Sequence, residues 1–262
     1  MLRRFKLAAI LTACISAPAT AETFNFCVQP IQSATKTQAA FQPLADYLSK
    51  ATGHQVKLLT SPNFLAYWQS MKRGDYDILL DGAHLTDYRA QKMNWTVIAK
   101  QLDKVSMSLA TGEGVFLFDP LELAGKKVAV QPAPSAPALV LIRFFNNPLR
   151  KPVLVEVTNT EEAAEKAIKG EVVAAVIPSP MLQAYPKLNL MTSSEQWPQP
   201  GFSVSPKVPA EARKALADAL INAAKTPDGQ KMLQAINLPG FEAATADTYK
   251  GYESWLKGVH GY

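Results

Sequence analysis

Two rhythms of apolar and polar positions alternate along this chain. Short apolar runs, Phe24 to Val28, Gln55 to Leu59 and Tyr76 to Leu80, are separated by longer segments whose apolar residues recur every three or four positions. The first rhythm predicts strands and the second amphipathic helices. Residues 36–51 place Phe41, Leu44, Tyr47 and Leu48 on one stripe, and Gly53 closes the helix. A second helix follows Thr60, Ser61, Pro62 and Asn63 and carries Phe64, Leu65, Tyr67, Trp68 and Met71. Strands and helices joined by short loops predict βαβ units in parallel sheets, an α/β fold.

The same order recurs further along. After a short helix at Leu85–Lys92, strands are expected at Trp95–Gln101 and Val105–Thr111 on the way out of a first lobe. The pattern restarts near Phe118, with a strand at Lys126–Gln131, a helix at Leu139–Phe145, a strand at Val153–Val157, a helix at Glu161–Lys169 and a strand at Val172–Ile177. The last third differs: a strand at Phe202–Ser205 precedes helices at Pro209–Lys225, Asp228–Ile236 and Asp247–Lys257. A tail of amphipathic helices needs a sheet to cover its apolar face, so the chain is expected to return to the first lobe. The resulting division is 22–110 for the first part of lobe one, 111–197 for lobe two and 198–262 for the return, with two hinge crossovers.

In an open α/β sheet, ligands sit beyond the carboxyl ends of the strands, where helices begin. The run Gly74 to His84, GDYDILLDGAH, ends a buried strand at Asp81, Gly82, Ala83 and His84 and marks one wall of such a site. The other strand ends add Gln29, Ser61 and Asn63 from lobe one and Ser135 and Ser179 from lobe two. Tyr67 and Trp68 are adjacent on a helix and cannot share a face, so one of them, taken here as Tyr67, is a further ligand-binding candidate. The other reading of Asp81 and Gly82 is a tight turn and helix cap.

FQPLADYLSKATGHQVKLLTSPNFLAYWQSMKRGDYDILLDGAH resembles the first lobe of the periplasmic solute-binding proteins of phosphate, phosphite and phosphonate ABC transporters. The matching positions are Phe41, Pro43, Leu44, Ala45, Tyr47 and Leu48, then Gly53, Val56, Gly74, Asp77 and Ile78. LAGKKVAV, Leu123 to Val130, resembles the family's entry into lobe two, and Thr160 to Ile177 its following helix and strand. The resemblance implies a two-lobed periplasmic-binding-protein fold that closes on a small polar or anionic solute and delivers it to an inner-membrane ABC permease. It also implies a hydroxyl-rich loop after the lobe-two entry strand. Here that loop is QPAPSAPA, with Ser135 its only hydroxyl and three prolines that lack an N–H. A carboxylate at Asp81 would suit a ligand amine, which leaves an amino acid or amine as an alternative to an oxyanion. A sensory domain that signals to a membrane receptor by the same closure is the alternative role.

Composition narrows the setting. MLRRFK followed by LAAILTACISA and PATA reads as an export signal with cleavage after Ala21; a second reading takes Leu11–Cys14 as a lipobox with a lipid on Cys14. Both place the protein in the periplasm. Removing Arg3, Arg4 and Lys6 from the formal charge of +5 leaves about +2, with no basic cluster of the kind nucleic acid requires. Cys27 then stands alone inside a strand and is expected to behave as a buried small hydrophobe. Asp81 with His84 makes two potential metal ligands where a site needs more. No G-x-S-x-G, H-E-x-x-H or glycine-rich phosphate loop occurs. The expectation is a monomeric binding protein, without catalysis, metal or cofactor.

Overall fold

The computed structural model describes residues 21–145 and 147–259. The proposed signal segment with Cys14 therefore lies outside the described residues, apart from Ala21, as does His260. The first lobe opens with β1 (Thr23–Val28), α1 (Ala34–Thr52), β2 (Gln55–Leu59), α2 (Phe64–Arg73), β3 (Ile78–Asp81), α3 (Ala83–Lys92) and β4 (Thr96–Gln101). The chain crosses through β5 (Lys104–Val105) into β6 (Met107–Thr111), β7 (Lys127–Val130), α4 (Ala136–Phe144), β8 (Val153–Glu156), α5 (Thr160–Ile168), β9 (Ala174–Pro178) and β10 (Asn189–Ser193). It returns through β11 (Trp197–Pro198) to β12 (Gly201–Val204), α6 (Ala210–Ile221), α7 (Pro227–Ala235) and β13 (Phe241–Glu242).

Apart from β5 and β11, which pair with each other, these strands form two sheets, one per lobe, in the orders β13-β4-β12-β3-β1-β2 and β10-β6-β9-β7-β8. Each contains a parallel βαβ core, β2-β1-β3 and β9-β7-β8, as the alternating pattern predicts. Neither sheet is wholly parallel, which corrects that expectation. β12 enters antiparallel between β3 and β4, and β6 lies antiparallel to β9. Both are the first strands after a crossover, and a chain arriving at the hinge end of a sheet must run opposite to strands that finish there. β6 pairs in the second sheet, so that sheet takes up the chain from Met107, a few residues ahead of the expected division at 110/111.

The two crossovers run side by side, with β5 and β11 paired through Val105 and Trp197 and through Lys104 and Pro198. Side-chain alternation along β3 sorts the first lobe's core. Ile78 and Leu80 pack with Phe26, Leu44, Leu48, Phe202 and Leu216 under α1 and α6, whereas Leu79 joins Cys27, Tyr67, Trp68 and Met71 under α2. Burying both sheet faces explains the continuous apolar run at 78–80. The expected C-terminal helix at 247–257 is instead two 3₁₀ turns, Ala246–Tyr249 and Tyr252–Leu256, because Gly251 between them adopts φ +97°. This segment wedges between the lobes: Trp255 lies edge-on to Trp197 (5.0 Å) and under the Arg143 guanidinium of α4 (4.8 Å).

Candidate functional site

A cavity of about 470 Å³ lies between the lobes, beyond the carboxyl ends of β1, β3 and β9. Gln29, Leu80 and Gly82 form part of its first wall, Met107, Ala136 and Pro178 part of the second, and Gln101, Val105 and Trp197 its hinge floor. A depression of about 540 Å³ over residues 224–239 belongs to lobe one alone, so hinge motion cannot close it.

The lobes touch directly around the cavity. The Gln131 side-chain amide donates to Pro30 O (2.8 Å), and the Thr160 N–H donates to Ile31 O (2.8 Å). Lys36 of α1 pairs with Glu161 of α5 (2.8 Å), and His84 Nε2 donates to Pro134 O (2.8 Å). The arrangement is a closed one.

Of the residues expected at the site, Gln29 lines the cavity; its side-chain oxygen accepts from the Gly82 N–H at 3.1 Å. Asp81 faces the other way. Its carboxylate, fully buried, takes two bonds from Arg89 (2.6 and 2.5 Å), one from the Tyr67 hydroxyl (2.5 Å) and one from Thr86 (3.1 Å). Both oxygens are used within lobe one, which corrects the expectation that Asp81 and Tyr67 meet a ligand. Burial, with the Asp81 charge beside it, pushes the Tyr67 hydroxyl well above its ordinary pKa, so it stays a donor.

Ser61 donates to Asn63 O (3.1 Å), and Asn63 caps α2 by accepting from Ala66 N–H (2.9 Å). Ser135 caps α4, accepting from Ala138 N–H (3.3 Å) and donating to Gln131 O (2.8 Å). Ser179 accepts from Ser106 and Ser108 (2.8 and 2.9 Å) within lobe two. These four residues hold the loops in place and do not line the cavity. His84 is buried between the lobes. Burial lowers its pKa to about 4, so the ring is neutral with its proton on Nε2, and Nδ1 has no hydrogen-bond partner among the described residues.

The cavity's remaining polar side chains, besides the Trp197 indole N–H, are Gln32, Thr37, Gln101, Gln199 and Asn237. Gln32 and Thr37 sit at the start of α1, just past the β1 end, and strand-end reasoning reaches them. Gln101 and Gln199 lie on the crossovers and Asn237 just after α7, where no local pattern marks them. Among the described residues no group of three or more His, Cys, Asp or Glu is placed to hold a metal, and no helix is long and apolar enough to cross a membrane.

A family model described as "ABC transporter, phosphonate, periplasmic substrate-binding protein" matches residues 26–249. No curated protein matches the chain in sequence. Among solved structures, the fold is similar to PhnD1 of Prochlorococcus marinus in complex with methylphosphonate, at 15% identity and TM-score 0.77 over 90% of this chain and 97% of that one. A binding-protein component of an ABC phosphonate transporter from Pseudomonas aeruginosa aligns at 15% identity and TM-score 0.74, covering 88% of this chain and 84% of its own. A Xanthomonas citri protein bound to ATP aligns at 14% identity and TM-score 0.70, over 90% and 96%.

Proposed function

The chain belongs to the phosphonate-binding family of periplasmic substrate-binding proteins of ABC transporters, a family of binding components rather than enzymes, and from that premise we propose that it captures a small solute in its interlobe cleft and delivers it to an inner-membrane permease. The observation that carries this reading is the cavity itself. Its walls come from two lobes, each built on its own sheet and connected through the paired crossovers, so rotation about β5 and β11 opens and closes it. Solutes of similar folds include methylphosphonate and ATP, so the fold does not select the ligand. The chain's own cavity residues do.

Export with cleavage after Ala21 fits the basic and apolar start of the chain. The mass of the mature protein distinguishes this from lipid attachment at Cys14. The test of solute binding is a thermal-shift screen of the exported protein against phosphonates, phosphite, phosphate, amino acids, amines and neutral heterocycles. A ligand at a hundred times its dissociation constant stabilises the native state by about 2.7 kcal/mol, a shift of several degrees for a chain of this size. Absence of any shift across all classes, together with no association with a cognate permease, would sink the reading.

A further inference from the structure

The interlobe cavity offers an oxyanion no charged side chain. Its polar side chains are the carboxamides of Gln29, Gln32, Gln101, Gln199 and Asn237, the Thr37 hydroxyl and the Trp197 indole N–H, and the rest of the wall is hydrocarbon, aromatic ring and thioether. An oxyanion drawn from water into such a space is held only if several donors converge on its oxygens; otherwise desolvation keeps it out.

The fold could offer those donors from backbone at helix starts, but several of them on the two walls are missing or spent. On the lobe-two side, Pro132, Pro134 and Pro137 have no N–H. The Ser135 N–H is bonded to Pro132 O (3.1 Å), and the Ser135 hydroxyl is committed to Gln131 and Ala138. On the lobe-one side, the Gly82 N–H is taken by the Gln29 side-chain oxygen. That bond turns the Gln29 carboxamide so that its NH₂ group remains for an occupant of the cavity it lines. A carboxamide presents a donor and an acceptor side by side, the complement of an amide or heterocycle edge that carries both.

We infer that the cleft takes an uncharged solute with an apolar body and an amide-like edge, a neutral heterocycle, in place of an oxyanion. This rests on the solute-binding reading above and names the ligand class of that site. Phe41 and Trp197 supply flat apolar wall, and the neutral carboxamides discriminate by geometry, since a solute lacking the matching edge leaves them buried and unpaired.

Isothermal titration calorimetry on the exported protein, dialysed through mild denaturant to strip bound solute, tests this with adenosine, uridine and nicotinamide against methylphosphonate, phosphite and inorganic phosphate. The expected result is that at least one neutral heterocycle binds at least tenfold tighter than every oxyanion, and that Gln29→Leu weakens it about tenfold. Thr37→Val provides a second, milder variant with the same expected direction should Gln29→Leu fail to fold. Tighter binding of an oxyanion overturns the inference and leaves the solute-binding reading intact. Silence of both panels also overturns it, and the solute-binding reading then stands or falls on the amino acids, amines and permease association of the wider screen.

Discussion

Arg89 grips Asp81 through both terminal guanidinium nitrogens, at 2.6 and 2.5 Å, with neither side chain exposed to solvent. The same guanidinium donates to the Ser203 hydroxyl from Nε (2.9 Å) and from a terminal nitrogen (2.7 Å). Ser203 lies on β12, the strand that returns from the second lobe. The ion pair therefore ties the end of β3, the last turn of α3 and the returning chain into one buried network, with Tyr67 of α2 closing it.

Replacing Asp81 is consequently expected to unfold lobe one rather than to empty the cleft. Asp81→Ala leaves the Arg89 charge buried and unpaired, a change that costs about 3–5 kcal/mol. The paired change Asp81→Leu with Arg89→Met removes both charges and is expected to recover most of that loss. Urea denaturation of the two variants and the parent measures it. A single variant of native stability with altered solute affinity would return Asp81 to the ligand site.

Cys27 gives a direct probe of the same core. Its thiol is fully buried and lies 3.6 Å from Val28 O, and burial pushes its pKa up to about 12. Only the thiolate reacts, so a disulfide reagent is expected to label the native mature chain on the order of 10³-fold or more slowly than the chain unfolded in urea. Equal rates in the two states would mean that β1 is exposed.

The fold was more legible than the site, for a physical reason. Strand and helix periodicities are local, and in both lobes Phe24–Val28, Ile78–Leu80 and Lys127–Val130 show them within a few residues. β10 escaped because Asn189–Ser193 is a partly exposed edge strand without an apolar run. Asp81 looked like a ligand group because it is an acid at a strand end. What decides its role is Arg89, eight residues on, and Ser203, which only the returning chain brings near. The cavity's Gln101, Gln199 and Asn237 come from crossovers and tail, and no spacing in the sequence relates them. Gln29, at the end of the first strand, is where local reasoning and cavity geometry meet.

Closure has its own buried latch. Gln131 is nearly inaccessible and donates across the cleft to Pro30 O at 2.8 Å and, within its own lobe, to Thr158 O at 3.2 Å. Gln131→Ala leaves the Pro30 carbonyl without this donor and is expected to cost the closed form about 1–3 kcal/mol. Small-angle scattering of the solute-free protein should then show a larger radius of gyration, with weaker solute affinity because the binding-competent state is depopulated. Lys36→Met, which removes a solvent-exposed cross-lobe partner, should change the scattering little. Identical profiles for Gln131→Ala and the parent would mean that the C-terminal wedge holds the lobes together without the latch.

His84 makes the stability of the closed form depend on pH. Burial, opposed by its bond to Pro134 O, lowers its pKa to about 4, below the ordinary 6.5 it regains on unfolding. Between these values the unfolded chain binds a proton that the native chain refuses, so the stability contributed by neutral His84 is present above pH 6.5 and is lost as pH falls toward 4. At about 1.4 kcal/mol for each pH unit, the loss reaches roughly 3 kcal/mol. His84→Gln keeps a side-chain N–H for Pro134 O and has nothing to titrate. Urea unfolding of both proteins from pH 7 to pH 4 should show the parent losing stability faster than the variant, while the carboxylates common to both cancel in the difference. Parallel curves would mean that the ring takes its proton with little penalty, which requires a partner for Nδ1 that the closed arrangement does not supply.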